Sequence, residues 1–288
     1  MRAEELEQRY SKYVEETRKA GKHHPLVQQV LALQKNTKPN PRKLCVLEGV
    51  WAHEKALLAG VTIEACFCCP EMVHSQQAKE LAVAFLEKAQ AAYCVSAKVF
   101  ERLSERDKPA GLLSLVNLKL TTLEQLALRD QSLLVILDGV EIPGNIGTIM
   151  RTIDGVQADA LIVCNRRARM THPKMIRASQ GACFFVPIIE FEEGVETVIA
   201  WLKTRDFTTY LADANEGKPY YECQYSGRVA LVAGSERYGI TKQWYANPHE
   251  TIRIPMFSEI TDSLNVGIAT TMILYEIGLR QRGILQRG

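Results

Sequence analysis

No stretch of this 288-residue chain stays apolar for the roughly 20 residues that a bilayer-spanning helix needs. Residues 1–20 mix both charge signs and lack the apolar middle of a secretory leader. The expectation is therefore a soluble, cytoplasmic protein with no membrane partner. Neither charge sign prevails: the formal net charge is +2. A polyanion partner has to be sought in local clusters of Lys and Arg rather than in the total. Low-complexity tracts are missing, and 47% hydrophobic with 24% charged residues is a globular composition. Neither G-x-x-x-x-G-K-[ST] nor G-x-G-x-x-G occurs, which argues against nucleoside triphosphates and nicotinamide cofactors.

Paired cysteine spacing is also wanting. The eight cysteines, Cys45, Cys66, Cys68, Cys69, Cys94, Cys164, Cys183 and Cys223, mostly sit in apolar runs such as Leu161–Cys164 and Cys183–Val186, which suits buried, reduced thiols. Cys66 and Cys69 form one C-x-x-C, half a zinc site or a redox pair. It has no second pair at a matching spacing, and a strand over Ile63–Cys69 points alternate side chains apart. No metal is expected.

A chain of this length accommodates two domains. Residues 1–40 read as a helical and basic extension, helical over 1–35, with Leu26, Val27, Val30, Leu31 and Leu33 forming an apolar face after Pro25. Lys35, Lys38, Arg42 and Lys43 surround Pro39 and Pro41, as a solvated linker or as a basic arm for RNA phosphate. Residues 41–120 alternate in period. Strands are expected at Leu44–Leu47, Val61–Phe67, Tyr93–Ser96 and Gly111–Val116, and helices at Val50–Ala59, Gln76–Ala91 and Val99–Ser104, a compact α/β/α unit. Residues 121–131 are the linker, with a connecting helix over Thr121–Arg129.

Residues 132–288 alternate more strongly. Strands are expected at Leu133–Leu137, Ala160–Cys164, Phe184–Ile188, Thr208–Ala212, Ala230–Val232 and Thr251–Ile254, with helices at about 146–155, 173–181, 194–204, 241–246 and 263–280. The fold class is α/β, a mostly parallel sheet with helices on both faces. Such sheets bind ligands outside the carboxyl ends of their strands.

That rule selects three loops, 138–147, 233–240 and 255–264. In the first, Asn145 occupies the place of an N-cap, Gly144 and Gly147 admit close backbone approach, and Arg151 falls on the second turn of the ensuing helix. In the second, Ala-Gly-Ser-Glu-Arg-Tyr-Gly-Ile ending at Ile240, Glu236 offers a carboxylate at a strand end. The third leads into Asp262-Ser-Leu-Asn-Val-Gly-Ile-Ala269, where Asp262 or Ser263 caps a long helix.

Pro143-Gly-Asn-Ile-Gly-Thr-Ile-Met-Arg-Thr152, Leu231-Val-Ala-Gly-Ser-Glu-Arg-Tyr-Gly-Ile240, and Ile254-Pro-Met256 followed by Asp262-Ser-Leu-Asn-Val266 resemble the three motifs of the SpoU (TrmH) family of RNA ribose 2′-O-methyltransferases. Met170–Ala182 resembles that family's helix entered after a basic loop. The N-terminal half resembles its accessory RNA-binding domain of the ribosomal-protein L30e type, notably at Leu47-Glu-Gly-Val50. The second motif departs from the family: Arg237 and Tyr238 stand where small residues are usual.

The resemblance implies a deep trefoil knot in the C-terminal half, S-adenosylmethionine as cofactor, and a homodimer. It implies cofactor contacts at Gly234, Ile254 and Leu264, to which Leu211 and Ala212 are added, and catalytic-site places for Arg151, Asn145, Glu236, Ser263 and Asn265. Asn145 would orient the ribose or the arginine, and Glu236, read as buried, would anchor the loops. The reaction needs no metal, only alignment and removal of a proton. A guanidinium does not readily deprotonate, so Arg151 is expected to hold a phosphate or the developing alkoxide. Arg166, Arg167, Arg169, His172, Lys174 and Arg177, with Lys38, Arg42 and Lys43, are the expected grip on RNA phosphate.

The expected function is methyl transfer to a ribose 2′-hydroxyl. 23S ribosomal RNA is favoured because of the L30e-like half, and a link to antibiotic resistance is conceivable. A transfer-RNA substrate, transfer to a base nitrogen, and a non-catalytic RNA-binding or ribosome-assembly protein are the alternatives.

Overall fold

The structure, a computed structural model, describes residues 2–285; Met1 and residues 286–288, at the outer ends of the segments 1–40 and 132–288, lie outside the described residues. Contacts divide the chain into two units: the chain up to Lys119 together with Thr171–Phe184, and Leu120–Met170 together with the chain from Phe185 onward.

In the first unit the chain runs α1 (Ala3–Glu16), α2 (Pro25–Gln34), β1 (Leu44–Glu48), α3 (Val50–Leu58), β2 (Ile63–Cys68), α4 (Gln76–Lys88), β3 (Ala91–Cys94), α5 (Ala97–Leu103) and β4 (Leu112–Asn117). The helical reading of residues 1–35 is thus interrupted. Between α1 and α2 the backbone is extended, with Cys94 N–H donating to Arg18 O at 2.8 Å and Ala20 N–H to Cys94 O at 3.0 Å. The edge of β3 captures this segment because its amides and carbonyls would otherwise be unpaired. Proline at the first helical position and the His24 ring, which accepts from Leu26 N–H, start α2. Ser75 caps α4 through Ala78 N–H.

The four strands lie in the order β1-β4-β2-β3, antiparallel except for the β2/β3 pair. Phe67, Phe100, Leu113, Leu115, Val27 and Val30 form a core beneath them. The later segment also contributes to this unit: its helix, Pro173–Ser179, contacts β1.

His53 on α3 is fully buried, its ring nitrogens 2.8 Å from Gly49 O and 3.0 Å from Ser114 Oγ. Burial, with help from the Arg106 charge, lowers its pKa to about 4, against the weaker opposing pull of the Gly49 carbonyl. The unfolded chain takes up that proton near pH 6.5, so between pH 6.5 and 4 unfolding binds a proton that the folded state refuses. Stability therefore rises with pH across this window and is lost as pH falls, by about 3 kcal/mol over the whole range. Chemical unfolding of the His53→Gln variant should show a correspondingly shallower loss between pH 7 and pH 4. An unchanged slope would mean that His53 is protonated in the fold.

The second unit runs β5 (Leu133–Asp138), α6 (Pro143–Val156), β6 (Ala160–Cys164), β7 (Ile188–Glu190), α8 (Glu196–Lys203), β8 (Phe207–Ala212), β9 (Lys218–Pro219), β10 (Arg228–Gly234), α9 (Lys242–Tyr245), β11 (Glu250–Arg253) and α10 (Val266–Gln281); α7 is the Pro173–Ser179 helix of the first unit. Seven strands, ordered β7-β6-β5-β10-β8-β11-β9, pair in parallel throughout. Leu134, Ile136, Ile162, Ala230 and Val232 point to one face, under Trp201 of α8 and Trp244 of α9. Their strand neighbours face the other way, where α6 contacts β6 and α10 contacts β10. Burial on both faces is why these strands read as unbroken apolar runs.

Two expected elements do not form as read. Thr121–Arg129 holds only one 3-10 turn, Leu123–Gln125, closed by a capping box from Thr122 to Gln125; beyond it Leu126 and Leu128 reach the core at a spacing of two, the period of extended chain. The strand expected at Phe184–Ile188 begins only at Ile188, because Gly181, at a φ of +88°, turns Ala182–Phe184 into another 3-10 turn.

Candidate active site

From β5 the chain passes through β6 to β7 on one side of the sheet, while β10 and β8 lie on the other. The order of strands reverses between β5 and β10, and at such a switch point the loops beyond the carboxyl ends part to leave a crevice. Beside it, on the β10 side, a cleft of about 730 Å³ opens at the ends of β8, β10 and β11. Its walls include Ala212, Gly234, Ile254, Leu264, Ser263 and Asn265. Of the expected cofactor residues, Gly234, Ile254, Leu264 and Ala212 thus share one cleft, whereas Leu211 turns into the core and is fully buried.

The three loops are tied to each other by side chains. The Glu236 carboxylate accepts from the Glu141 amide at 3.0 Å and from Asn145 Nδ2 at 2.7 Å. Asn145 Oδ1 accepts from Asn265 Nδ2 at 3.1 Å. Asn265 Oδ1 in turn accepts from the Gly267 and Ile268 amides at 2.9 and 3.4 Å. Asn265 is therefore the cap of α10, in place of the expected Asp262 or Ser263. Asn145 is the third residue of α6, whose cap is Ile142 with Pro143 first in the helix, so it does not cap that helix. Both ends of the Asn145 amide are engaged, which makes it a strut. Glu236 is exposed rather than buried.

The loop of Glu236 is closed on itself. Ser235 and Gly239 exchange backbone hydrogen bonds of 3.0 and 2.9 Å, and a Cβ on Gly234 would lie 2.2 Å from the Gly239 carbonyl carbon. Ser263 stands exposed on the cleft wall. Arg151 is exposed on the third turn of α6 rather than the second, and none of the described residues pairs with it. It lies about 9 Å further along the axis than Asn145 and about 120° around it, so the two do not share a face.

The expected phosphate grip is unevenly exposed. Arg166 pairs with Glu192 at 2.6 Å, Arg177 with Glu105, and Arg42 with Glu64. Arg167, Lys174 and Lys38 are exposed, while Arg169 and Lys43 are half-buried. Ion pairs at the surface are worth about 0–1 kcal/mol, so a phosphate competes for the exposed Arg42 and Arg177 guanidinium groups at small cost, whereas the Arg166 side chain is only 16% exposed.

Several supporting residues carry no strong sequence signal. Asp138, almost wholly buried at the end of β5, accepts from Asn165 Nδ2 at 2.6 Å and from the Thr241 amide at 2.8 Å, fixing the start of α9. Asp213 on the cleft wall accepts from Tyr245 and from the Asn215 and Glu216 amides. Burial pushes its carboxyl up, but those hydrogen bonds outweigh burial and hold it below the usual carboxylate range. A polar residue after an apolar run is the one trace either leaves in the sequence. Thr270 also lines the cleft; its Oγ1 is buried with no hydrogen-bond partner among the described residues.

All eight cysteines are free and buried. Burial raises the Cys66 and Cys69 thiols, which disfavours the thiolate that a metal or a redox pair would use. Among the described residues no group of three or more His, Cys, Asp or Glu side chains is placed to hold a metal ion.

A sequence model of the SpoU rRNA Methylase family matches residues 132–275, and one of the MRM3-like substrate binding domain matches residues 24–114. The 23S rRNA (guanosine(2553)-2′-O)-methyltransferase RlmP of Bacillus subtilis is 27% identical over 67% of this chain and 74% of its own length. The 23S rRNA (uridine(2479)-2′-O)-methyltransferase of Streptomyces viridochromogenes is 29% identical over 62% of this chain; the match spans 63% of that protein, less than two thirds of it. An AdoMet-bound rRNA methyltransferase from Sinorhizobium meliloti shares the fold, with a TM-score of 0.80 and 24% identity over 93% of this chain and 98% of that one. A solved RNA 2′-O ribose methyltransferase superposes with a TM-score of 0.75 at 27% identity, over 92% of this chain and 99% of that one.

Proposed function

The chain belongs to the SpoU rRNA Methylase family, and from that premise we propose that it transfers methyl from S-adenosylmethionine to a ribose 2′-hydroxyl of RNA. The observation that carries this reading is the line of hydrogen bonds Glu236–Asn145–Asn265, which ties the loop after β5 to the two loops that wall the cleft. Ribosomal RNA of the 23S class is the proposed substrate, in line with the names of the two curated relatives.

The cleft suits the cofactor. Apolar walls at Ile254 and Leu264 fit an adenine, and the unpartnered hydroxyl of Thr270 offers a hydrogen bond. When bound, S-adenosylmethionine supplies an already activated methyl group. What remains for the protein is alignment, exclusion of water and control of one proton. Asn145, Glu236 and Asn265 fix the loops, and Ser263 offers its hydroxyl at the cleft wall. Arg151 binds the phosphate beside the target or the oxygen as it loses its proton.

Arg151 reaches such a site from a second copy of the chain. It shares one face of α6 with Gly155, one turn on, where an added Cβ would lie 3.3 Å from the Tyr275 hydroxyl of α10. Tyr275, Met272 and Ile268 are exposed along α10 at helical spacing, while its opposite face is buried. A helix apolar on both sides calls for a partner, and a homodimer through α6 and α10 supplies one. Arg167 and Lys174 are the proposed phosphate contacts.

Incubation of the protein and labelled cofactor with total RNA should leave ribose positions resistant to alkaline cleavage. A methylated base instead of a resistant ribose linkage would refute the reading.

A further inference from the structure

Arg237 and Tyr238 have no part in the line of hydrogen bonds, and they depart from the small residues usual in the family that the motifs resemble. Both line the cleft. Tyr238 is 73% exposed, an aromatic ring given over to solvent, and the Arg237 guanidinium lies 5.2 Å from its centroid. The loop beneath them is rigid. Ser235 Oγ accepts from the Arg237 and Tyr238 amides, both at 3.2 Å, inside the closed Ser235–Gly239 turn. Gly239, at a φ of +68°, allows that turn, and the hydrogen bonds of Glu236 to Glu141 and Asn145 tether it to α6 and the loop before it.

An exposed ring on a fixed backbone loses little freedom when it is covered, so the contact it makes is cheap in entropy. Ring and guanidinium together present a flat π-face and a delocalised cation, the pair of surfaces on which nucleobases stack. We infer that Arg237 and Tyr238 form a stacking platform for an unpaired RNA base next to the ribose presented at the cleft, an inference that rests on the proposed methyl transfer to RNA. Stacking of this kind tolerates any base because every base has a π-face. The platform therefore holds the strand, and selection of sequence falls to other contacts.

The test uses the full chain and a single-stranded RNA of about 12 nucleotides carrying one 2-aminopurine, whose fluorescence falls when it stacks. The unaltered protein and Tyr238→Phe should quench it, and Tyr238→Ala should not. In methyl transfer, Tyr238→Ala should raise KM for RNA about 10- to 100-fold with kcat unchanged, and Tyr238→Phe should restore it. Absence of quenching by the unaltered protein, or undiminished quenching by Tyr238→Ala, overturns the inference. So does a loss of oligomer mass in Tyr238→Ala, which would make the loop a contact between copies. Quenching that depends on Tyr238 in a protein that methylates no RNA would instead strike the proposed reaction and leave the platform standing.

Discussion

Replacement of Arg151 by alanine is expected to slow methyl transfer about 10²- to 10³-fold at saturating RNA and cofactor, the usual loss when one group that stabilises a developing oxyanion is removed. Cofactor affinity should stay unchanged, because Arg151 is not among the residues that wall the cleft. Nor does it support the fold, being exposed and unpaired among the described residues. Titration calorimetry with S-adenosylmethionine beside single-turnover rates separates the two properties, and near-normal turnover would remove Arg151 from the site. Lysine should rescue only part of the rate, since it keeps the charge and loses the planar fork.

Gly234→Ala is expected to have the opposite profile. A Cβ there would meet the Gly239 carbonyl carbon, the Ile240 nitrogen and the Gly239 oxygen at 2.2, 2.4 and 2.5 Å, all backbone atoms that cannot swing aside. The Ser235–Gly239 turn has to open, and with it goes the anchorage of Glu236 on Asn145. Cofactor affinity should fall at least about 100-fold, some 2.7 kcal/mol, with a lower melting temperature. Normal affinity in this variant would show that the cofactor binds elsewhere. In the proposed homodimer, co-expression of Arg151→Ala with Gly234→Ala should recover activity that neither variant has alone, since one subunit keeps an intact cleft and the other an intact arginine. Failure of mixed dimers to recover it would place Arg151 and its cleft in the same copy.

The parallel sheet was legible because Leu133–Leu137 and Ala160–Cys164 are buried on both faces and so carry an unbroken apolar signal. The 3-10 turn at Leu123–Gln125 was read as a longer helix because three leucines within six residues satisfy more than one period. The cap of α10 was legible only to within a few positions. Asp, Ser and Asn cap about equally well, and the choice of Asn265 is made by Asn145, 120 residues away. The packing of α7 on β1 leaves no local trace at all, because a helix of seven residues looks the same whichever sheet receives it. Tyr238 could be named as unusual, but its exposure and the rigidity beneath it belong to the folded loop.

Glu236 and Asn265 grip Asn145 across 91 and 120 residues of chain. The line of three loops cannot be completed on a growing polypeptide until the segment beyond Asn265 has emerged, and contacts of such long sequence separation form late and slowly. A ligand that fits only the closed cleft favours the finished fold by mass action. On this topology cofactor capture doubles as a final proofreading of folding: a chain whose loops have not met has nowhere to put it, and a chain that holds it has already joined its three ends.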